Sequence, residues 1–190
     1  MPPKPKFTKD EIVAAALGVV SKNGIDALTA QALGNALGSS ARPIFTIFNS
    51  MKEVQDEVRI AAMKKFESFT PDHLQQMPLF KHIGMKMVLF GVQEPKLYQL
   101  LFMQENDDAL TFDDIYRKLG ATADLCIEAI CHDYSLSTKD AKVLFENVWI
   151  YTFGIGALCA TKACQFSVEE LGQMLSIQFQ AMINFIKVKE

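Results

Sequence analysis

Side chains able to do covalent or metal chemistry are few in this chain and badly spaced for it. His73, His82 and His132 are far apart in sequence, with no Ser, Cys or carboxylate placed as a catalytic partner. Cys126, Cys131, Cys159 and Cys164 include no Cys-x-x-Cys pair. His132 neighbours Cys131, but adjacent helical residues point in different directions, so the thiols read as small buried hydrophobes rather than zinc ligands. Glu94, Glu128 and Glu146 are single acids on helices, a placement that is usually solvated. Glu105-Asn106-Asp107-Asp108 lacks the spaced oxygens and the glycine of a calcium loop. No glycine-rich phosphate loop follows a strand. The pattern predicts no enzyme, no cofactor and no metal site.

Recognition chemistry is better represented, in the stretch from Leu28 to Lys52. Arg42 is its only long multidentate donor, flanked by the small or compact residues Ala41, Pro43 and Thr46, over which a backbone can approach another surface closely. Thr29 is suited to cap a short helix carrying Leu33, Ala36 and Leu37, and Gly38 to stop it. Pro43 has no amide hydrogen, so Ser40 rather than Ser39 is expected to cap a second helix starting at Ala41, with Pro43 in its first turn. Two helices, a glycine-containing turn and the small Gly34 at their crossing predict a helix-turn-helix. An ordinary antiparallel helix pair in an all-α core would give the same spacing.

The first fifty or so residues resemble the DNA-binding domain of the tetracycline-repressor (TetR) family of transcriptional regulators. The likeness rests on Ser21-Lys22-Asn23-Gly24, Leu28-Thr29, Leu37-Gly38-Ser39-Ser40 and Ile44-Phe45-x-x-Phe48, closing on Asn49-Ser50-Met51-Lys52-Glu53. The resemblance implies an all-α chain: a three-helix head over residues 1–54, and a linking helix into a larger ligand-binding and dimerisation body over 55–190. It implies a double-stranded, pseudo-palindromic DNA operator as partner, with Lys6, Thr29, Ser39, Ser40, Ala41, Arg42, Pro43, Phe45, Thr46 and Lys52 as the contact set. The family usually has tyrosine at Phe45 and lysine at Met51, both phosphate contacts; Lys52, one residue on, is the substitute donor.

The elements that must position these residues follow in order. Residues 1–6 form a Pro- and Lys-rich arm, read either as a solubilising tail or as a phosphate or minor-groove contact. A capping box at Thr8 and Glu11 opens the first helix and Gly24 ends it; Ser50 and Glu53 form a second box for a long helix ending before Pro71. Helical periodicity then covers about 79–93, 96–105, 112–134, 138–164 and 168–188, with Thr111/Asp114 and Ser167/Glu170 marking two starts. Residues 1–54 carry six Lys/Arg against four acids, a net of +2, which leaves −5 for the rest of a chain whose total is −3. A mildly basic head on an acidic body suits a DNA-facing module joined to one that does not touch DNA. The N-terminus lacks the apolar segment of a secretory signal. No apolar run is expected to reach the length of a membrane span, Val148 to Ala160 being the longest, so the expected location is the cytoplasm.

Hydrophobic residues make up 49% of the 190, with 14 Phe and 9 Met, enough for a large core or an adaptable cavity. Phe66, Phe90, Phe102, Met103, Tyr116, Phe145, Trp149 and Phe153 are the candidate lining of a pocket for an apolar or flat aromatic small-molecule effector, oriented by Tyr116, Gln104 or Glu146; the same rings could simply fill the core. The last two helices are apolar around more than one face, which suggests a subunit partner or an interior position. Gly154, Gly156, Ala160, Leu175, Phe179 and Met182 are the candidate interface of a homodimer, which the resemblance implies is a four-helix bundle. The resulting reading is a repressor that releases its operator when the body binds a small molecule. Its alternative is a helical small-molecule-binding or adaptor protein that no longer reads DNA.

Overall fold

The computed structural model describes residues 6–71, 74, 77–105 and 111–188. Residues 1–5 of the arm, His73 and positions 106–108 of the acidic loop lie outside the described residues. Within them every element is helical: α1 (Lys9–Asn23), α2 (Ala30–Ala36), α3 (Met51–Ser68), α4 (Leu79–Gln93), α5 (Pro95–Phe102), α6 (Phe112–Leu119), α7 (Ala121–Tyr134), α8 (Thr138–Ala160) and α9 (Val168–Val188). Short 3₁₀ turns lie at Ile25–Ala27 and Ile44–Thr46. The protein is all-α.

Local chemistry sets the helix ends. The Thr8 hydroxyl accepts from the Glu11 amide at 3.2 Å while the Glu11 carboxylate accepts from the Thr8 amide at 2.8 Å, a complete capping box. Gly24 closes α1 at φ +87°, a region only glycine enters cheaply. At α3 the expected box is half built. The Ser50 hydroxyl accepts from the Glu53 amide at 3.2 Å, but the Glu53 carboxylate turns to Asn49, whose backbone and side-chain amides both donate to it. Two donors on Asn49 outcompete the single amide of Ser50. The segment expected as one helix over 112–134 breaks at Gly120, whose φ of +52° interrupts the ladder. α8 stops at Ala160, short of 164, because Lys162 turns left-handed and the Ala163 amide reaches back to the Leu158 carbonyl at 3.0 Å.

The chain forms two compact units, residues 1–69 with 93–104, and residues 70–92 with 105–190. The first unit therefore runs past position 54 and takes in all of α3 and α5. There α1 packs against α2, α3 and α5, burying Ile12, Ala16, Val20, Leu33, Val54, Val58, Leu97 and Tyr98. Each large side chain so buried is worth about 1.5–3 kcal/mol. Glu94 adds a polar tie within the unit, its carboxylate accepting from the Ser21 hydroxyl at 2.8 Å and the Lys65 ammonium at 2.6 Å. In the second unit α8 packs on α7 and α9 around Cys126, Ile130, Ala141, Leu144, Phe145, Ile183 and Ile186. Contrary to expectation, Thr138–Ala160 is long and apolar enough to cross a membrane by length and composition. The apolar stretch begins before Val148, with Leu144 and Phe145, and 44% of its window is buried inside the fold.

The α1 cap generates a prediction with a defined sign. Hydrogen bonds from the Thr8 amide, then the Thr8 hydroxyl, hold the Glu11 carboxyl below the usual carboxylate range. A carboxyl lowered by folding contributes stability above its unfolded value and loses it as pH falls through its folded value. Thr8→Val should cost about 1 kcal/mol in urea unfolding near neutral pH. The difference from the unmutated chain should narrow on acidification through the carboxylate range.

Candidate functional site

In the first unit the backbone of α2 crosses the following segment at Gly34. A Cβ built there would stand 3.0 Å from three backbone atoms, Ala41 N, Ser39 O and Ser40 C, so no larger residue fits without moving the chain. The Ser39 amide donates to the Gly34 carbonyl at 2.9 Å, and Gly38 supplies the left-handed turn at φ +60°. The helix expected from a Ser40 cap at Ala41 does not form. Amides of Ile44, Thr46 and Ile47 instead bond the carbonyls three residues back, at 3.1, 3.2 and 3.1 Å, and Phe48 alone bonds four back, to Ile44 at 3.0 Å. Pro43 contributes no donor, and the β-branched Ile44, Thr46 and Ile47 crowd an α-helical turn, so a stretch this short settles into tighter 3₁₀ bonding.

Ile44 and Phe48 are buried anchors, and between them Phe45, 48% exposed, and Thr46 face solvent. None of the ten candidate contact residues is buried. Lys6, Thr29, Ser40, Arg42, Phe45, Thr46 and Lys52 are exposed, and Ser39, Ala41 and Pro43 are half-buried. The Lys6 ammonium donates to the Ser39 hydroxyl at 3.0 Å, bringing Lys6 onto the turn, an approach across 33 residues that no local pattern signals. Thr29 is occupied as the α2 cap, accepting from the Ala32 amide, and the Thr46 hydroxyl donates to the Pro43 carbonyl at 2.6 Å. Arg42 and Lys52 have no hydrogen-bond or ion-pair partner among the described residues. Lys52 sits in the first turn of α3, where unpaired amides and the helix dipole also favour an anion. The patch can therefore take phosphate at Lys6 and Lys52 and a planar acceptor pair at Arg42.

The eight pocket candidates fall in both units, Phe66, Phe102 and Met103 in the first and Phe90, Tyr116, Phe145, Trp149 and Phe153 in the second. Phe66 and Phe102 meet edge-on at 5.2 Å in the first unit, with Tyr98 5.0 Å from Phe102; Met103 and Gln104 belong to the same unit. Phe90 is buried in the second unit. There Trp149 stacks on Phe153 at 5.3 Å and meets Phe112 at 5.6 Å, while Tyr116 meets Phe145 at 5.9 Å. The second unit instead holds two clefts. The wider one, about 750 Å³, is polar and open, lined by Tyr116, Asp124, Ile127, Glu128, Cys131, His132, Thr138 and Lys142. The Tyr116 hydroxyl donates to Asp124 at 2.8 Å, and burial, then Asp124, pushes that phenol up to about 12.

The narrower cleft, about 360 Å³, is bounded by Pro78, Phe80, Lys81, Gly84, Tyr134, Val148, Thr152, Leu175, Ser176, Phe179 and Gln180. Of the pocket candidates only Tyr116 lines either cleft. Gly84 was the available signal for the narrower one: a glycine inside α4 whose missing side chain leaves room, with Thr152 Oγ1 and Leu175 Cδ1 at 3.8 and 3.9 Å from where a Cβ would be. Of the six interface candidates, Gly154 is exposed, Phe179 and Met182 pack half-buried on the core, and Gly156, Ala160 and Leu175 are buried within their own unit. Exposed large apolar side chains on the same two helices include Ile150, Leu158, Ile177 and Phe185. All four cysteines are free, and burial pushes the Cys126 thiol up to about 12, which removes it as a nucleophile near neutral pH. Among the described residues no three potential metal ligands gather.

No protein-family model matches the chain, and no curated protein does. Solved structures do. One is described as a transcriptional regulator of the TetR family from Vibrio parahaemolyticus, with TM-score 0.57 and 19% identity over 90% of this chain and 96% of that one. Another is a TetR variant from Acinetobacter baumannii AYE in complex with minocycline, with TM-score 0.53 and 17% identity over 96% of each chain. The chain has the overall all-helical fold of these TetR-family structures.

The crossing at Gly34 is open to direct test. Gly34→Ala should destabilise the chain by about 1–2 kcal/mol, the cost of forcing a methyl into packed backbone. Gly18→Ala, in α1 with nothing within 4 Å of the added carbon, should instead stabilise by about 0.5–1 kcal/mol. Thermal unfolding of the two variants measures both signs.

Proposed function

We propose that this chain is a DNA-binding transcriptional regulator of the TetR type, acting in the cytoplasm as a homodimer on a pseudo-palindromic operator and releasing it when a small molecule binds the second unit. The observation that carries the reading is the exposed rim of Arg42, Phe45 and Thr46, with Lys52 at the start of α3, held out by buried Ile44 and Phe48. The likeness in fold to TetR-family structures across at least 90% of the chain supports it, and the minocycline complex of one of them supports a small-molecule effector. In this reading Arg42 takes guanine O6 and N7 in the major groove, while Lys52 and Lys6 take phosphates. The exposed apolar side chains of α8 and α9, with Gly154 among them, supply the dimer face.

The second reading, a helical small-molecule-binding or adaptor protein, is favoured by one observation. Residues 44–46 form a single 3₁₀ turn where a groove-reading protein ordinarily presents a longer helix. Binding to duplex fragments from beside the protein's own gene separates the two. The regulator binds at least one fragment specifically, and the adaptor binds none above random DNA.

For the regulator, Arg42→Ala should weaken the specific fragment by about 1–3 kcal/mol and relax preference at one base position. Lys52→Ala should weaken specific and random DNA alike and lower the salt slope by about two units, one for each protomer. Equal loss on both DNAs for Arg42→Ala removes its base-reading role. For the dimer, light scattering should give twice the chain mass at micromolar concentration, and Ile177→Glu with Phe185→Glu should halve it. A monomeric unmutated chain contradicts the dimer.

A further inference from the structure

The narrower cleft of the second unit has a chemical character of its own. Its walls are the rings of Phe80, Phe179 and Tyr134 and the aliphatic side chains of Val148 and Leu175. Phe179 meets Tyr134 edge-on at 4.9 Å and Phe80 at 6.0 Å, so ring faces and edges are already arranged around the space. Thr152 is buried and its hydroxyl proton is committed to the Val148 carbonyl at 2.7 Å, so the floor offers no free donor there. One charged side chain lies in the lining: Lys81, exposed in the first turn of α4, with no hydrogen-bond or ion-pair partner among the described residues. Among the described residues no acid stands in the lining to oppose it.

We propose that this cleft binds a small aromatic monoanion, its ring body against Phe80, Phe179 and Leu175 and its carboxylate or similar group at Lys81. The volume, about 360 Å³, falls in the range of small-molecule sites, and an apolar enclosure with one placed charge is their usual construction. A neutral ring would gain the apolar burial but leave Lys81 unused. A cation would meet like charge at the rim. The Gly84 backbone makes the room, since even a modest side chain there enters the space facing Thr152 and Leu175. Binding stands on these residues alone. Its consequence, release of DNA, rests on the regulator reading above.

The experiment is calorimetric titration of the full chain with 1-naphthoate and, in parallel, with 1-naphthalenemethanol, the neutral counterpart. Naphthoate should bind about three- to fivefold more tightly than the alcohol, the scale of one solvent-exposed charge pair, and lose that advantage at high salt. Lys81→Gln, at an exposed position that folding does not depend on, should bring naphthoate to the alcohol's affinity and leave the alcohol unchanged. Gly84→Leu should weaken both at least tenfold, with Gly84→Ala between it and the unmutated chain. Absence of naphthoate binding, equal affinity for the two probes, or indifference to Lys81→Gln overturns the proposal. Naphthoate bound with the expected Lys81 and Gly84 dependence but without effect on affinity for operator DNA leaves the site standing and removes only its regulatory role.

Discussion

The arrangement of the head turns on the close approach at Gly34. Three backbone atoms of residues 39–41 stand 3.0 Å from where a side chain at position 34 would begin. That contact fixes the height at which the chain leaves α2, and so which later residues reach the core. Ile44 and Phe48 do, and are buried; Arg42, Phe45 and Thr46, interleaved with them, are forced outward. The exposed surface is therefore a consequence of core packing rather than a separate feature. Its side chains can vary in chemistry while the backbone beneath stays in place.

Much of this was legible in the sequence because the governing signals are local. Thr8, Thr29, Thr111 and Ser167 cap where their spacing to the next acid or amide said they would, and Gly24 stops α1. Gly34 was legible as a crossing point because a small residue recurs there in the pattern of two packed helices. Failures came where two local rules competed. Ser40 and Pro43 suggested a helix start, but the β-branched run behind them prefers tighter bonding. Ser50 and Glu53 suggested a full box, but Asn49 offered the carboxylate a better-furnished site. The body was less legible for a different reason. Aromatic content says how much ring surface must be buried and nothing about which rings face one another, so Phe66 and Trp149 could not be assigned to separate units in advance. Likewise an apolar helix such as α8 declares that it is buried widely, but the phase that puts Gly156 inside and Ile150 outside depends on neighbours distant in sequence.

The division into units also locates the covalent routes by which an event in the body can reach the head. The chain passes between them near residues 69, 92 and 104. The middle passage falls within α4, a continuous helix, and ends one residue before Glu94, which Ser21 of α1 and Lys65 of α3 both hold. A helix whose first turn carries Lys81 at the narrower cleft thus finishes beside the carboxylate that ties the head's helices together. In the proposed regulator, a ligand changes DNA affinity only by its differential affinity for the two states, about 1.4–3 kcal/mol for a ten- to hundredfold effect.

In the proposed regulator the surface held out by Gly34, Ile44 and Phe48 reads DNA as a two-fold pair. Selection of binding duplexes from a random-sequence pool by the full chain tests it most directly. A two-fold pair should enrich a single pseudo-palindrome whose half-sites are centred about one helical turn apart, roughly 10–10.5 base pairs. Recovery of no common sequence after repeated rounds, or of an unpaired half-site with no symmetry, would contradict it.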